Sequence, residues 1–275
     1  MVEAAMRPRG LYSLRLTTRT AFWKARLPEG GWAEARQLHD GSVLIRASCE
    51  RAVEEARFLL ALDDDTSEFH RRFARDPLLG PSVGVLRGLR PTRTSTVAHA
   101  VLRAICGQLI QSSRAREIER AVIRALGENP PSREALARLS PAALAGLGLA
   151  TSRAATLARL VRTVDLESLK SAPSATALAR LQRERGIGPW SVGVIALHGL
   201  GRYDTGLVAD LGLVKLYASL RRRWPEQSAE TAELLEPYGE WQGLASVFLL
   251  AGFARGLVPG ASADRARLVR GRRAA

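Results

Sequence analysis

The amino-acid sequence predicts a mostly α-helical protein with a small N-terminal α+β lobe. Near the N-terminus, apolar and polar residues alternate in Leu11–Thr18, and Asp40-Gly41 is a typical hairpin turn between Trp32–His39 and Ser42–Ala47. From Thr94 onward, apolar residues recur every three or four positions, as they do on the buried face of a helix. The first pattern predicts a small antiparallel sheet, and the second predicts that the rest of the chain is helical.

The N-terminal lobe is predicted to cover residues 1–85 and to combine this sheet with a helix. Ser48 is a candidate N-cap for the helix, and Val53 and Ala56 follow it at helical spacing. The acidic run at 63–65 is expected to be a solvated loop, because no further ligands follow it at the spacing of a calcium-binding loop.

The helical core is predicted to cover residues 86–260, and its first long helix should begin at an N-cap within 94–96. The sequence Gly107–Leu109 comes at the end of that helix, and periodicity alone places Leu109 in the core. Residues 261–275 are polar and rich in arginine. We expect them either to form a disordered basic tail or to add weak attraction to a polyanion.

The charge of the chain indicates a polyanionic partner. The formal net charge is +14, and nucleic acid is the commonest partner of such proteins. The basic residues other than Lys24, Lys170 and Lys215 are all arginines, so a GC-rich coding bias is an alternative source of the positive charge.

No apolar run approaches the ~18–20 residues that span a bilayer, and the N-terminus lacks the apolar segment of a signal peptide. We therefore expect a cytoplasmic, nucleoid-associated protein.

The cysteines and histidines do not suggest a metal centre. Cys49 and Cys106 are too few for an iron–sulfur cluster, which takes four cysteines, and the histidines have no metal-like spacing. We expect two reduced thiols and no resident metal or organic cofactor.

The segment Leu178–Leu220 carries the strongest functional signal. It predicts a helix capped by Ser174, a tight turn at Gly186–Gly188, a second helix from Pro189 and a third from Asp210. Such a turn leaves backbone N–H groups unpaired at a helix N-terminus, where they can bind a phosphate oxygen. The alternative is an ordinary structural corner between two helices.

Two blocks of this segment carry a family resemblance: Gly186–Gly193 (GIGPWSVG) and Val208–Leu213 (VADLGL). They resemble the helix-hairpin-helix DNA glycosylases and are most similar to the AlkA type, bacterial DNA-3-methyladenine glycosylase II. The resemblance implies the helix-hairpin-helix glycosylase fold, with an antiparallel sheet domain at the N-terminus and the helix-hairpin-helix at about 174–200. It also implies a double-stranded DNA partner, which the hairpin contacts through Gly186, Ile187, Gly188 and Ser191.

The same resemblance assigns two further roles. The residue wedged into the duplex where the base leaves is implied to be Leu109, with Gln108 as its neighbour, and the catalytic carboxylate is implied to be Asp210. A carboxylate below the sugar stabilises the positive charge that develops as an N-glycosidic bond breaks, and it can deprotonate the attacking water. Asp210 is also a favoured N-cap, and the two roles are compatible. Asp204 is the rival acid in the same loop, and only the family motif separates them.

A pocket for a cationic alkylated base is expected to present aromatic faces. Trp190 and Tyr238 are the candidates, and Val194 lies where relatives can place an aromatic residue, which makes this pocket less aromatic. Superfamily members with lyase activity carry a lysine at the position of Trp190, so the resemblance implies an enzyme without lyase activity. A monovalent cation at the hairpin carbonyls is an option that the resemblance also raises.

The sequence therefore predicts a monomeric, monofunctional DNA glycosylase that excises alkylated, 3-methyladenine-like bases in base excision repair. One alternative is a glycosylase for a non-alkylated damaged base. Another is a non-catalytic protein that uses the hairpin only to bind the DNA backbone. Asp210, Leu109 and Trp190 favour the enzyme, because a protein that only binds DNA needs none of them.

Overall fold

The structure is a computed structural model that describes residues 1–108, 110–127 and 129–274, with the side chains described as far as residue 269. Leu109, the predicted wedge residue, lies outside the described residues.

The N-terminal lobe contains a four-stranded antiparallel sheet in the order β1-β4-β3-β2. Its strands are β1 (Val2–Met6), β2 (Phe22–Arg26), β3 (Trp32–Gln37) and β4 (Val43–Ala47). Ala35 pairs with Ile45, and both are buried on the face that packs against helix α2 (Glu50–Leu59). The hairpin at Asp40-Gly41 is therefore confirmed, as is the helix that follows the sheet.

The strand predicted at Leu11–Thr18 is wrong, because Leu14–Thr18 forms a short helix, α1. The side chain of Ser13 accepts a hydrogen bond from the backbone N–H of Leu16, so local capping overrides the two-residue alternation. Ser48 does not cap α2 either, since its hydroxyl accepts the N–H of Trp32.

The remaining chain is helical, and short 3-10 segments join several of its helices. The α-helices are α3 (Ser67–Phe73), α4 (Gly80–Val85), α5 (Val97–Gly107), α6 (Ser112–Leu126), α7 (Arg133–Ala137), α8 (Pro141–Gly146), α9 (Thr151–Thr163), α10 (Ser174–Gln182), α11 (Pro189–Ile195), α12 (Leu211–Arg221), α13 (Gln242–Phe253) and α14 (Ala263–Ala274). A π-helical turn at Ala196–Leu200 continues α11. The N-cap of α5 is Thr96, as predicted, and it accepts the N–H of His99. Within the described residues, no helix combines the length and apolar character needed to cross a lipid bilayer.

The hydrophobic core changes at a different point from the predicted domain boundary. The core beneath the sheet ends at Leu62, whereas Phe69, Phe73 and Val83 belong to the core of the helical part. Phe69 packs on Phe248 of α13 with ring centroids 5.1 Å apart. Helices α3 and α4, which the predicted boundary at residue 85 assigns to the N-terminal lobe, therefore bury their apolar faces against the helical part.

The basic tail forms helix α14 rather than a disordered segment. The helix packs against α12, and Ala266 is buried there. The N–H of Ser262 donates to the hydroxyl of Ser219 at 2.7 Å, and that hydroxyl donates back to the carbonyl of Ser262 at 3.0 Å. This reciprocal pair holds the start of the tail to the helical core.

The π-helical turn contains a half-buried histidine, His198, that makes stability depend on pH. Nδ1–H of His198 donates to the carbonyl of Thr92 at 2.7 Å, and burial lowers the pKa of the imidazole to about 4. The unfolded chain binds a proton near pH 6.5, so a fall from pH 7 to pH 5 favours the unfolded state. We expect this group to lower the free energy of unfolding by about 2 kcal/mol over that interval.

Urea unfolding at several pH values tests this expectation, with His198→Asn as the matched variant. The amide of asparagine can replace the hydrogen bond to Thr92, but it does not titrate. The parent should lose more stability than the variant between pH 7 and pH 5. Equal slopes in the two proteins would assign the pH dependence to other groups.

Candidate active site

The hairpin between α10 and α11 has the conformation that its glycines predict. Gly186 has a φ of +87°, and a Cβ at this position would lie 2.7 Å from the hydroxyl oxygen of Thr156. Gly188 precedes α11, and Pro189 is its first residue. Ser174 is not the N-cap of α10, because Pro173 takes that position.

The hairpin is held by hydrogen bonds from α9 on one side, and on the other side backbone N–H groups remain without an acceptor among the described residues. Arg159 of α9 donates to the carboxylate of Glu184 at 2.5 Å and to the carbonyl of Arg185 at 2.7 Å. Within the described residues, no hydrogen bond engages the backbone N–H groups of Gly188, Trp190 and Ser191. Unpaired donors at the start of a helix can accommodate an anionic oxygen.

Gln108 links the end of α5 to this hairpin. Its Nε2 donates to the carbonyl of Gly186 and to the hydroxyl of Ser191, both at 2.9 Å. The Ser191 side chain is buried, and so is that of Ile187, whereas Gly186 and Gly188 are exposed. The predicted DNA-contacting residues of the hairpin therefore lie together, but the side chains of Gln108 and Ser191 bind each other within the protein.

Asp210 and Trp190 form the chemical centre of this region. One carboxylate oxygen of Asp210 accepts the indole Nε1–H of Trp190 at 2.9 Å, and the other accepts the N–H of Gly212 at 2.7 Å. Asp210 is thus the N-cap of α12, as predicted, and its side chain is partly exposed. The capping hydrogen bond to Gly212 holds the carboxylate of Asp210 beside the hairpin, so the residue that caps α12 is also fixed in place as an acid.

Gly107 provides the space in which Trp190 lies. A Cβ on Gly107 would approach the edge of the indole ring to 2.5 Å, so only glycine leaves this packing undisturbed. The sequence interpretation missed this role, because the two residues are far apart in the chain. The only local signal for this role was the glycine itself, since a glycine near the end of a helix can mark a close approach by another side chain.

The other predicted pocket residues lie apart from this pair or inside the core. Val194 is one helical turn beyond Trp190 and is buried in the helical core. The hydroxyl of Tyr238 donates to Asp76 at 3.2 Å, and its ring packs on Phe73. Burial raises the pKa of Tyr238 above its ordinary value.

Tyr238 also lines a cavity together with Arg221 and Glu233. Among the described residues, no hydrogen bond or ring contact joins Tyr238 to Trp190 or Asp210. Asp204, the rival acid, is exposed and accepts a hydrogen bond from the hydroxyl of Ser174 at 2.5 Å.

Comparison with known sequences gives two informative relatives. A DNA-3-methyladenine glycosylase of Bacillus subtilis is 28% identical over 230 residues, which cover 77% of this chain and 75% of the relative. A probable bifunctional transcriptional activator/DNA repair enzyme AlkA of Mycobacterium tuberculosis is 31% identical over 176 residues, 59% of this chain and 35% of the relative. No protein-family profile matches the chain.

Solved structures show that the fold is shared. A 3-methyladenine DNA-glycosylase from Archaeoglobus fulgidus matches with a TM-score of 0.78 at 19% identity, over 92% of this chain and 98% of its own. An 8-oxoguanine glycosylase/lyase of Clostridium acetobutylicum, solved with double-stranded DNA, matches with a TM-score of 0.72 at 18% identity, over 94% and 99%. The fold is therefore that of the helix-hairpin-helix DNA glycosylases, with the hairpin between α10 and α11 as its characteristic element. In sequence the chain is similar to relatives named DNA-3-methyladenine glycosylase and AlkA, which supports the resemblance to the AlkA type.

Proposed function

We propose that this chain is a monofunctional DNA glycosylase that hydrolyses the N-glycosidic bond of alkylated, 3-methyladenine-like bases flipped out of duplex DNA, in base excision repair. The observation that carries the proposal is the carboxylate of Asp210, held by Trp190 and Gly212 next to a hairpin whose first N–H groups bind no acceptor among the described residues. The names of the relatives in Bacillus and Archaeoglobus support the alkylated base as substrate.

Asp210 is proposed to stabilise the positive charge that develops on the sugar, rather than to attack the sugar as a covalent nucleophile. As the bond between C1′ and the base nitrogen breaks, its electron pair leaves with the base and positive charge develops on the sugar. A fixed carboxylate stabilises that charge, because its orientation does not have to change during the reaction. Water then bonds to C1′ and gives up a proton toward the carboxylate, and the product is an abasic site.

Trp190 is proposed to have two effects: it helps to bind the alkylated base, and its presence in place of a lysine leaves the DNA strand uncut. An alkylated purine carries positive charge, which an aromatic face attracts, and the indole is fixed through its bond to Asp210. Val194 and Tyr238 stay predictions for the pocket. No lysine lies at position 190 to form a Schiff base, and Lys170 donates to the carbonyl of Ser95 instead. We therefore propose that the abasic strand is left intact.

The partner is proposed to be duplex DNA bound by a monomer in the cytoplasm, at the nucleoid. The net charge of +14 favours DNA in general, and the open N–H groups at Gly188, Trp190 and Ser191 favour contact with its backbone. A monovalent cation at the hairpin has limited support. The carbonyls of Arg185 and Gly186 already accept hydrogen bonds from side chains of the protein, and no step of the mechanism uses the ion.

Base release from duplex DNA by the purified chain tests the proposal. One duplex carries methylated purines, and a matched duplex carries 8-oxoguanine. We expect release of methylated bases, with strand breakage only after alkaline treatment. Release of 8-oxoguanine alone would contradict the proposed substrate, and breakage without alkali would contradict the absence of lyase activity. Binding to both duplexes without base release would leave a non-catalytic DNA-binding protein.

A further inference from the structure

The loop that leads into Asp210 contains a backbone conformation that is costly for its residue. Ala209 has a φ of +69°, in the left-handed region that favours glycine. The N–H of Asp210 donates to the carbonyl of Leu207 at 3.0 Å, so Ala209 lies inside a tight turn at a position where glycine is preferred. An alanine keeps this conformation only where its surroundings fix it.

Two buried hydroxyl groups fix this turn. The N–H of Ala209 donates to Oγ1 of Thr231 at 2.8 Å, and the N–H of Leu207 donates to Oγ of Ser246 at 3.0 Å. Both side chains are fully buried, so water cannot replace either acceptor. Each hydroxyl also donates to a carbonyl of its own helical segment, at Ser228 and Gln242 respectively, which sets the direction of its remaining lone pairs.

The segment that carries Thr231 is itself anchored to α12. Thr231 belongs to the 3-10 helix Ser228–Leu234, whose Glu230 accepts hydrogen bonds from the hydroxyl of Tyr217 at 3.0 Å and from Arg223 at 2.7 Å. Tyr217 in α12 and Arg223 just after this helix therefore hold the 3-10 helix, and the 3-10 helix in turn holds the tight turn that precedes α12. Asp210 caps α12 at that same end.

We propose that Thr231 is a positioning residue for Asp210, with Ser246 as its partner at the other end of the turn. By holding Ala209 at positive φ, the Thr231 hydroxyl sets the direction in which the next residue presents its carboxylate to Trp190. Without the hydroxyl, the turn can relax to negative φ and Asp210 moves with it. The inference rests on the proposed glycosylase function, because positioning matters only if Asp210 acts on a substrate.

Thr231→Val is the discriminating variant, because valine keeps the shape of threonine and removes the hydroxyl. We expect the single-turnover rate of base release to fall about 30-fold, since a displacement of ~1 Å can cost up to ~100-fold in rate. Affinity for duplex DNA should stay within about twofold, because the hairpin is not part of the turn. Thr231→Ser, which keeps the hydroxyl, should stay within about threefold of the parent rate.

A second substitution separates positioning from general stability. Glycine adopts positive φ without help, so Ala209→Gly should restore most of the rate in the Thr231→Val background. A loss that came from the missing hydroxyl by another route than the conformation of the turn would not be recovered by a change at residue 209. If Thr231→Val does not fold, Ser246→Ala tests the other hydroxyl, with the same expected loss of rate and the same unchanged affinity.

The indole N–H resonance of Trp190 gives a readout that does not require activity. The resonance can be assigned with Trp190→Phe, and its chemical shift reports the hydrogen bond to Asp210. We expect it to move in Thr231→Val and to return in the double variant with Ala209→Gly. A parent that releases no methylated base would overturn the proposed function, whereas the indole shift would still decide the positioning. A parental rate and an unmoved resonance in Thr231→Val would overturn the inference.

Discussion

Asp210→Asn is expected to lower the single-turnover rate of base release by about 1,000-fold, with affinity for duplex DNA unchanged within about threefold. Asparagine is also a favoured N-cap, so its carbonyl oxygen can still accept the N–H of Gly212 and α12 should begin at the same residue. What the variant loses is the negative charge that stabilises the sugar cation. The measurement is release of methylated purines with enzyme in excess over DNA.

Two matched variants make the result specific. Asp204→Asn changes the rival acid, which is exposed and contacts Ser174, and it should keep the parental rate. Trp190→Phe removes the indole donor but leaves the carboxylate, so it should lose less activity than Asp210→Asn. A large loss in Asp204→Asn together with a parental rate in Asp210→Asn would move the catalytic role to Asp204.

Local sequence signals predicted much of the fold because they act within a few residues. The hairpin at Asp40-Gly41, the cap at Thr96 and the left-handed turn at Gly186 each follow from one side chain or from the lack of one. The same local physics produced an error at Leu11–Thr18. There a period of two residues predicted a strand, and the cap at Ser13 began a helix instead.

The connections around Asp210 could not be predicted in this way, because they join distant parts of the chain. Trp190 and Asp210 were each identified from motifs, but their hydrogen bond depends on how α11 meets the loop before α12. The bond from Ala209 to Thr231 likewise needs a segment 22 residues further along the chain. Gln108 is predicted to lie at the DNA, and no local pattern indicates that its amide also binds Gly186 and Ser191 of the hairpin. Periodicity contains no information on such partners.

Gly107→Ala is expected to lower the rate of base release by about 100-fold, with little loss of DNA affinity. The added Cβ would lie 2.5 Å from the ring edge of Trp190, so the indole has to shift and its bond to Asp210 has to lengthen or break. Gly84→Ala is the matched control, because Gly84 lies in helix α4 and a Cβ there meets nothing within 4 Å. It should keep the parental rate.

A double-mutant cycle tests whether the indole transmits the effect of Gly107. Phenylalanine at position 190 is shorter and lacks the donor, so it has neither the clash with the added methyl group nor the bond to Asp210 that the clash would break. Gly107→Ala should therefore cost much less in the Trp190→Phe background than in the parent, and the two changes should be strongly non-additive. Additive losses would mean that Gly107 affects the rate by another route, such as the path of α5 toward Gln108. Strong coupling would make the glycine before Gln108 part of the support of the proposed active site.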